Sequence, residues 1–186
     1  MVAIALTLLI LPLTDVEIEA GQTLVEVLRS NSGKLLAFGI SFAVIARYWR
    51  GHHSIFKDAR AYDGRLLNLN IAWLAAIAVL PFPSAMIAQQ LTGGFESLYL
   101  VNLLAASGMT LLLSLYLARH PELTVDPASA RRHVTAGWFL VAPMAVALVL
   151  SFFVESGALW ALLLLIPSQA IGSRLSRRQP GLTQPV

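Results

Sequence analysis

The chain has 186 residues, 57% of them hydrophobic and only 12% charged, with a mean hydropathy of +0.72. About half the usual share of charge excludes an ordinary soluble globular domain, and the lack of cysteine excludes disulfides and cysteine-based metal sites. A net charge of +3 would suit a nucleic-acid partner in a soluble protein, but here the basic residues sit between apolar segments, the pattern that sets membrane topology, so no nucleic acid is expected.

In chain order, Met1 to Pro12 is uncharged and reads as helix inside a bilayer. At 100° per residue Ile4, Leu8 and Leu11 share a stripe about 60° wide, with Thr7 at its edge. The stretch lacks a basic leader and a small-residue cleavage site, so it does not read as a signal peptide. About a dozen apolar residues precede Pro12, whereas a full crossing takes about 20. The expectation is a helix that starts upstream of Met1 or is embedded part way.

An acidic stretch with Asp15, Glu17, Glu19 and Glu26 follows, in which Thr23 to Leu28 forms a short interfacial helix. A second crossing, Leu35 to Tyr48, continues as a polar helix through Phe56, and a basic connector holds Lys57, Arg60 and Arg65. The third crossing, Leu66 to Ala88, should kink or break at Pro81-Phe82-Pro83, and Gly93-Gly94 makes the next turn. The fourth spans Leu98 to Ala118. A polar linker, Glu122 to Ser129, leads to the fifth, His133 to Val154, with a kink at Pro143. The sixth runs from Ala158 to Ile171. The reading is an all-α, polytopic membrane protein: a six-transmembrane-helix bundle over residues 1–175, then a disordered tail over 176–186.

With both termini cytoplasmic, eleven Lys and Arg fall inside and only Arg29 and Lys34 outside, a strong bias of the expected sign. The acids then leave the outer face at −4 and the inner face at +7. An acidic outer mouth concentrates cations locally, within the screening length of about 8 Å.

Few residues carry recognisable chemistry. His52 and His53 are adjacent, point about 100° apart and cannot easily chelate one metal, so no metal is expected. One imidazole is expected to face the bundle and bond a neighbouring helix while the other meets the interface. Trp49, His52 and Phe56 share a face by spacing, either as interfacial anchors or as a structural network. Asn68, Asn70 and Asn102 are expected to bond across helices. No acid lies deep in a span, as a proton-coupled carrier would require. The serines Ser41, Ser107, Ser114 and Ser151 have no histidine at matching depth, so they read as packing residues and no enzyme or cofactor is expected. Passive conduction or a structural role remains.

Three stretches in order carry a resemblance: Ala3 to Leu11; Tyr48-Trp49-Arg50-Gly51-His52-His53-Ser54-Ile55-Phe56; and Arg65-Leu66-Leu67-Asn68-Leu69-Asn70 through Leu80-Pro81-Phe82-Pro83. Together they resemble the transmembrane protein 175 family of potassium channels in its prokaryotic form, over nearly the whole first half of the chain. The resemblance implies a homotetramer in a bacterial plasma membrane, passing potassium ions through a central pore lined by the first helix. It places the hydrophobic constriction on Ile4, Leu8 and Leu11, a selectivity-related hydroxyl layer on Thr7, and a polar network on Trp49, His52 and Asn68; with His53 and Asn70 from the reading above, these make up the expected structural network. The family's Arg-x-x-x-Phe-Ser-Asp signature would lie before Met1, so the sequence is expected to start late. The alternatives are a secondary carrier and a non-conducting membrane scaffold.

Overall fold

The computed structural model describes residues 7–14, 20–88 and 95–151. They are all-helical. Helix α1 covers Leu11–Thr14, α2 Leu24–Ser30, α3 Ser32–Lys57, α4 Gly64–Val79, α5 Pro81–Ala88, α6 Phe95–Arg119 and α7 Pro127–Ser151, with a 3-10 turn at Pro121–Leu123. Among the described residues, three stretches are long and apolar enough to cross a membrane: Gly64–Ile87, Glu96–Arg119 and Pro127–Val149. Helix α3 is longer still, about 39 Å at 1.5 Å per residue, but its second half is polar. The sixth crossing, the Gly93-Gly94 turn and the tail fall outside the described residues.

The first stretch is not the unbroken rod that its periodicity suggests. Residues 7–8 are helical, residues 9–10 form a turn, and helix resumes at Leu11. The hydrogen bonds tighten to three-residue spacing, from Ile10 N to Thr7 O (3.3 Å) and Leu13 N to Ile10 O (2.8 Å). Pro12 falls in the first turn of α1, where its missing N–H is not needed, so helix continues past it to Thr14.

Helix α2 begins where a capping box fixes it: Thr23 Oγ1 accepts from Glu26 N, and the Glu26 carboxylate accepts from Thr23 N at 2.8 Å. Helix α3 then runs from the second crossing through the histidine pair to Lys57 without a break. The third crossing breaks at Leu80, between α4 and α5, because neither Pro81 nor Pro83 can donate to the preceding turn.

The fifth crossing starts six residues earlier than its apolar run suggests. Pro127 takes the first helical position, and the Asp126 carboxylate accepts from Ala128 N at 2.8 Å, so the end of the polar linker is already helix. Pro143 lies within α7, which remains one helix.

Helix α6 is the centre of the bundle: it packs against α7 over most of its length and also against α3, α4 and α5. Gly137 of α7 makes the closest approach, since a Cβ there would lie 2.9 Å from Leu111 Cδ1 and 3.3 Å from Leu111 Cα. Small residues at such crossings let helix backbones meet in a bilayer. The core fills with Ile45, Leu66, Trp73, Ile77, Leu103 and Leu113, all fully buried.

Candidate functional site

Two regions answer to the residues singled out in the sequence. The first is the short N-terminal helix. Leu9 is buried at 3% exposure and lines a small cavity with Phe38 of α3 and Ser84 of α5. Thr7, Leu8 and Ile10 are exposed, Leu8 at 44%. The element therefore turns one side to its own bundle and presents the other outward. Ile4 and the side chain of Leu11 lie outside the described residues, so no stripe joining them to Leu8 is visible.

The second region is the layer where α3, α4 and α6 meet. The His52 imidazole lies on the Trp73 indole, with ring centroids 3.9 Å apart, and against Phe56 at 4.5 Å. Its Nε2 donates to Asn70 Oδ1 at 2.7 Å. Asn70 and Trp73 are three residues apart on α4, so one face supplies both the hydrogen bond and the stacking surface. Trp73 Nε1 in turn donates to Thr110 Oγ1 of α6 at 2.9 Å, and the Thr110 hydroxyl donates to Ala106 O. One chain of contacts thus crosses three helices.

Not every expected member joins it. Trp49 is half exposed and stacks instead on His53, its own fourth neighbour, at 5.5 Å. Asn68 is exposed, because it sits about 200° around α4 from Asn70. The predicted pair of asparagines therefore divides between two faces.

Asn102 of α6 meets the break in the third crossing. Pro81 leaves Leu80 N bonded to Ile77 O at 3.3 Å, which frees Ala76 O from its usual helical donor. With its amide nitrogen toward that carbonyl, Asn102 donates to Ala76 O at 2.8 Å and accepts from Leu80 N at 3.3 Å. Ser84 adds a bond to Leu80 O and receives one from Ser41 of α3, both buried. Tyr48 of α3 meets Leu103 O and Ser107 Oγ of α6, again buried. Ser41 and Ser107 thus bond between helices.

One cluster had no signal beyond its local spacing. Asp58, just past α3, accepts from Ser129 Oγ and faces His133 Nε2 at 3.0 Å, both on α7. These hydrogen bonds, Ser129 first, hold the Asp58 carboxyl below the usual carboxylate range. The three residue types are those of a hydrolase triad, but the arrangement is not. Ser129 and Asp58 both meet the same nitrogen of His133, so no imidazole relays a proton from one to the other. Ser129 and His133 share a helix face at four-residue spacing, but Asp58 lies 75 positions from His133 in the chain.

The first half of the chain is similar to known proteins. Residues 1–81 match the profile of the family described as endosomal/lysosomal potassium channel TMEM175. The first 81 residues are thus similar to the TMEM175 family. It is 35% identical over 89 residues to a potassium channel of Streptomyces collinus, an alignment covering 48% of this chain and 43% of that one. A potassium channel of Chamaesiphon minutus is 36% identical over 91 residues, covering 48% and 45%. The chain thus spans less than half the length of the curated relatives it matches. In three dimensions it is similar to the crystal structure of a lysosomal potassium-selective channel TMEM175 homolog from Chamaesiphon minutus, with a TM-score of 0.60 and 25% identity over 90% of this chain and 92% of that one. TMEM175 is an ion-channel family rather than an enzyme family, and the similarity to membrane channels together with the three spans above describes a multi-pass membrane protein.

Proposed function

We propose that this chain is a TMEM175-type channel subunit, one of four in a potassium-preferring cation channel, passive in mechanism, with four copies of the first helix around a central pore. The reading includes six crossings per subunit, both termini cytoplasmic, in a bacterial plasma membrane. The constriction is a ring of Ile4, Leu8 and Leu11, and Thr7 supplies hydroxyl oxygens beside it. A closed aliphatic ring excludes water, so an ion must shed hydration to pass and opening must widen or rotate the ring.

The observation that carries this reading is the split character of the N-terminal element: Leu9 packs into the bundle while Thr7, Leu8 and Ile10 face out. A residue facing out from the bundle meets either lipid or a symmetry-related copy. The chain holds no cysteine, so Leu8→Cys gives a single reporter. A water-soluble thiol reagent should block potassium flux through this variant in liposomes, and Leu8→Ala should increase leak. A Leu8→Cys protein that conducts but never reacts would place the residue in lipid and remove the pore assignment. No flux from the wild-type protein would favour the scaffold.

A further inference from the structure

We propose that the end of the bundle carrying the α3–α4 and α6–α7 loops is a docking surface for anionic phospholipid headgroups in the leaflet it faces. The inference rests on the membrane-spanning fold and is independent of the conduction reading. The two loops are sewn into one ledge: Arg60 N donates to Leu123 O at 2.8 Å, Val125 N donates to Asp58 O at 2.8 Å, and Ala59 bridges to Thr124. Tyr62 and Val125 project from it at 80% and 69% exposure.

The charges on this ledge are sorted. Its four carboxylates are committed to the fold. Asp58 holds Ser129 and His133, and Asp63 caps Leu66 N and accepts from Tyr116 Oη at 2.5 Å. Glu122 pairs with His120, and Asp126 takes Ala128 N and Arg132. Lys57, Arg60, Arg65, Arg119 and Arg131 are all exposed and make no ion pair among the described residues. These cations come from the ends of four helices and the loop between two of them, so they suit several phosphates spread over a surface better than one small ion. An exposed tyrosine among them fits the headgroup layer, where aromatic and basic side chains both find favourable partners.

The test is native mass spectrometry of the full chain in detergent with equal amounts of dioleoylphosphatidylglycerol and dioleoylphosphatidylcholine. The wild-type protein should retain the anionic lipid preferentially, and added salt should weaken the preference. In the triple variant Arg60→Gln, Arg65→Gln, Arg119→Gln it should fall by up to about fivefold per charge removed. The matching triple Lys variant should keep the preference, which separates lost charge from lost fold, and Arg29→Gln on α2 should leave it unchanged. Equal retention of the two lipids by the wild-type protein would overturn the proposal, as would a glutamine triple that keeps the preference. Displacement of the lipid by equimolar inorganic phosphate would make the surface a small-anion site instead. A merely topogenic role for these cations predicts no discrimination once the protein is folded.

Discussion

The His52 imidazole lies nearly parallel to the Trp73 indole, 16° from coplanar with centroids 3.9 Å apart, while Asn70 on the same helix face takes its Nε2 hydrogen. Removing the ring costs both contacts. His52→Ala should lower stability by about 1–3 kcal/mol, because the Trp73 face loses its packing partner and a part-buried amide loses its donor. Asn70→Leu should cost less, since the stack remains. Thermal melting in detergent followed by tryptophan fluorescence measures both, and the double variant should show a coupling above about 0.5 kcal/mol. Strict additivity would mean that the 2.7 Å bond contributes nothing.

The break in the third crossing gives a second prediction. Asn102 substitutes for the helical bond that Ala76 O loses, so Asn102→Leu leaves a carbonyl without a donor inside the bundle and should destabilise by about 1–2 kcal/mol. Adding Pro81→Ala should recover much of that loss, because a straight helix returns Leu80 N to Ala76 O. A melting temperature that drops further in the double variant would show that the break itself is required for packing.

These two clusters mark how far the sequence could be read. The broken crossing was legible from Pro81 and Pro83, since a missing N–H acts on its own turn, and so was the polar continuation of α3 through Phe56. Asn102 as a cross-helix donor followed from a lone amide in an apolar run. The partner of His52 beyond Asn70 was not legible: Trp73 reads as one more apolar residue until α3 and α4 are laid side by side. Asp58 and His133 were less legible still, because nothing local in either residue points 75 positions along the chain. The start of α7 was misread because charged residues suggested a linker, although Asp126-Pro127 is a helix start on its own terms. Trp49 was placed with His52 by spacing alone, yet the equally good spacing to His53 prevailed because the inner face already held Trp73.

Gly137 should resist enlargement in a graded way. In Gly137→Ala the new Cβ meets a movable Leu111 methyl at 2.9 Å but also its backbone at 3.3 Å, so α6 and α7 must separate by a few tenths of an ångström. Overpacking of this kind costs about 1–3 kcal/mol. Gly137→Leu should fail to yield a monodisperse protein in size-exclusion chromatography. An unchanged melting temperature for Gly137→Ala would mean that the contact gives way freely.

Acid should loosen the loops before it loosens the core. The Asp58 carboxyl titrates below its unfolded value because Ser129 and His133 bond to the charged form. Its contribution is therefore fully present above the unfolded pKa of about 3.9 and is lost as pH falls through the lower folded value. Asp58→Asn should remove this part of the acid dependence, flattening the fall in melting temperature below about pH 4 relative to wild type. Amide exchange at Val125, whose N–H bonds Asp58 O, provides a local readout. Identical pH profiles for the two proteins would show that the contact of Asp58 with Ser129 and His133 does not govern the acid dependence.

Thr7 tests the proposed selectivity layer apart from the proposed gate. In the proposed pore an ion entering the aliphatic ring would lose water oxygens, and four threonine hydroxyls beside the ring would replace only some of them, so discrimination should be moderate rather than stringent. Thr7→Val keeps the shape and removes the oxygen. The expected result in liposomes or planar bilayers is a lower potassium-to-sodium permeability ratio. Conductance should change less than in Leu8→Ala, which would open the proposed ring itself. Thr7→Ser retains the hydroxyl and should hold the ratio near the wild-type value. A Thr7→Val channel with an unaltered ratio would move selectivity away from this side chain, whatever Leu8 does to the leak.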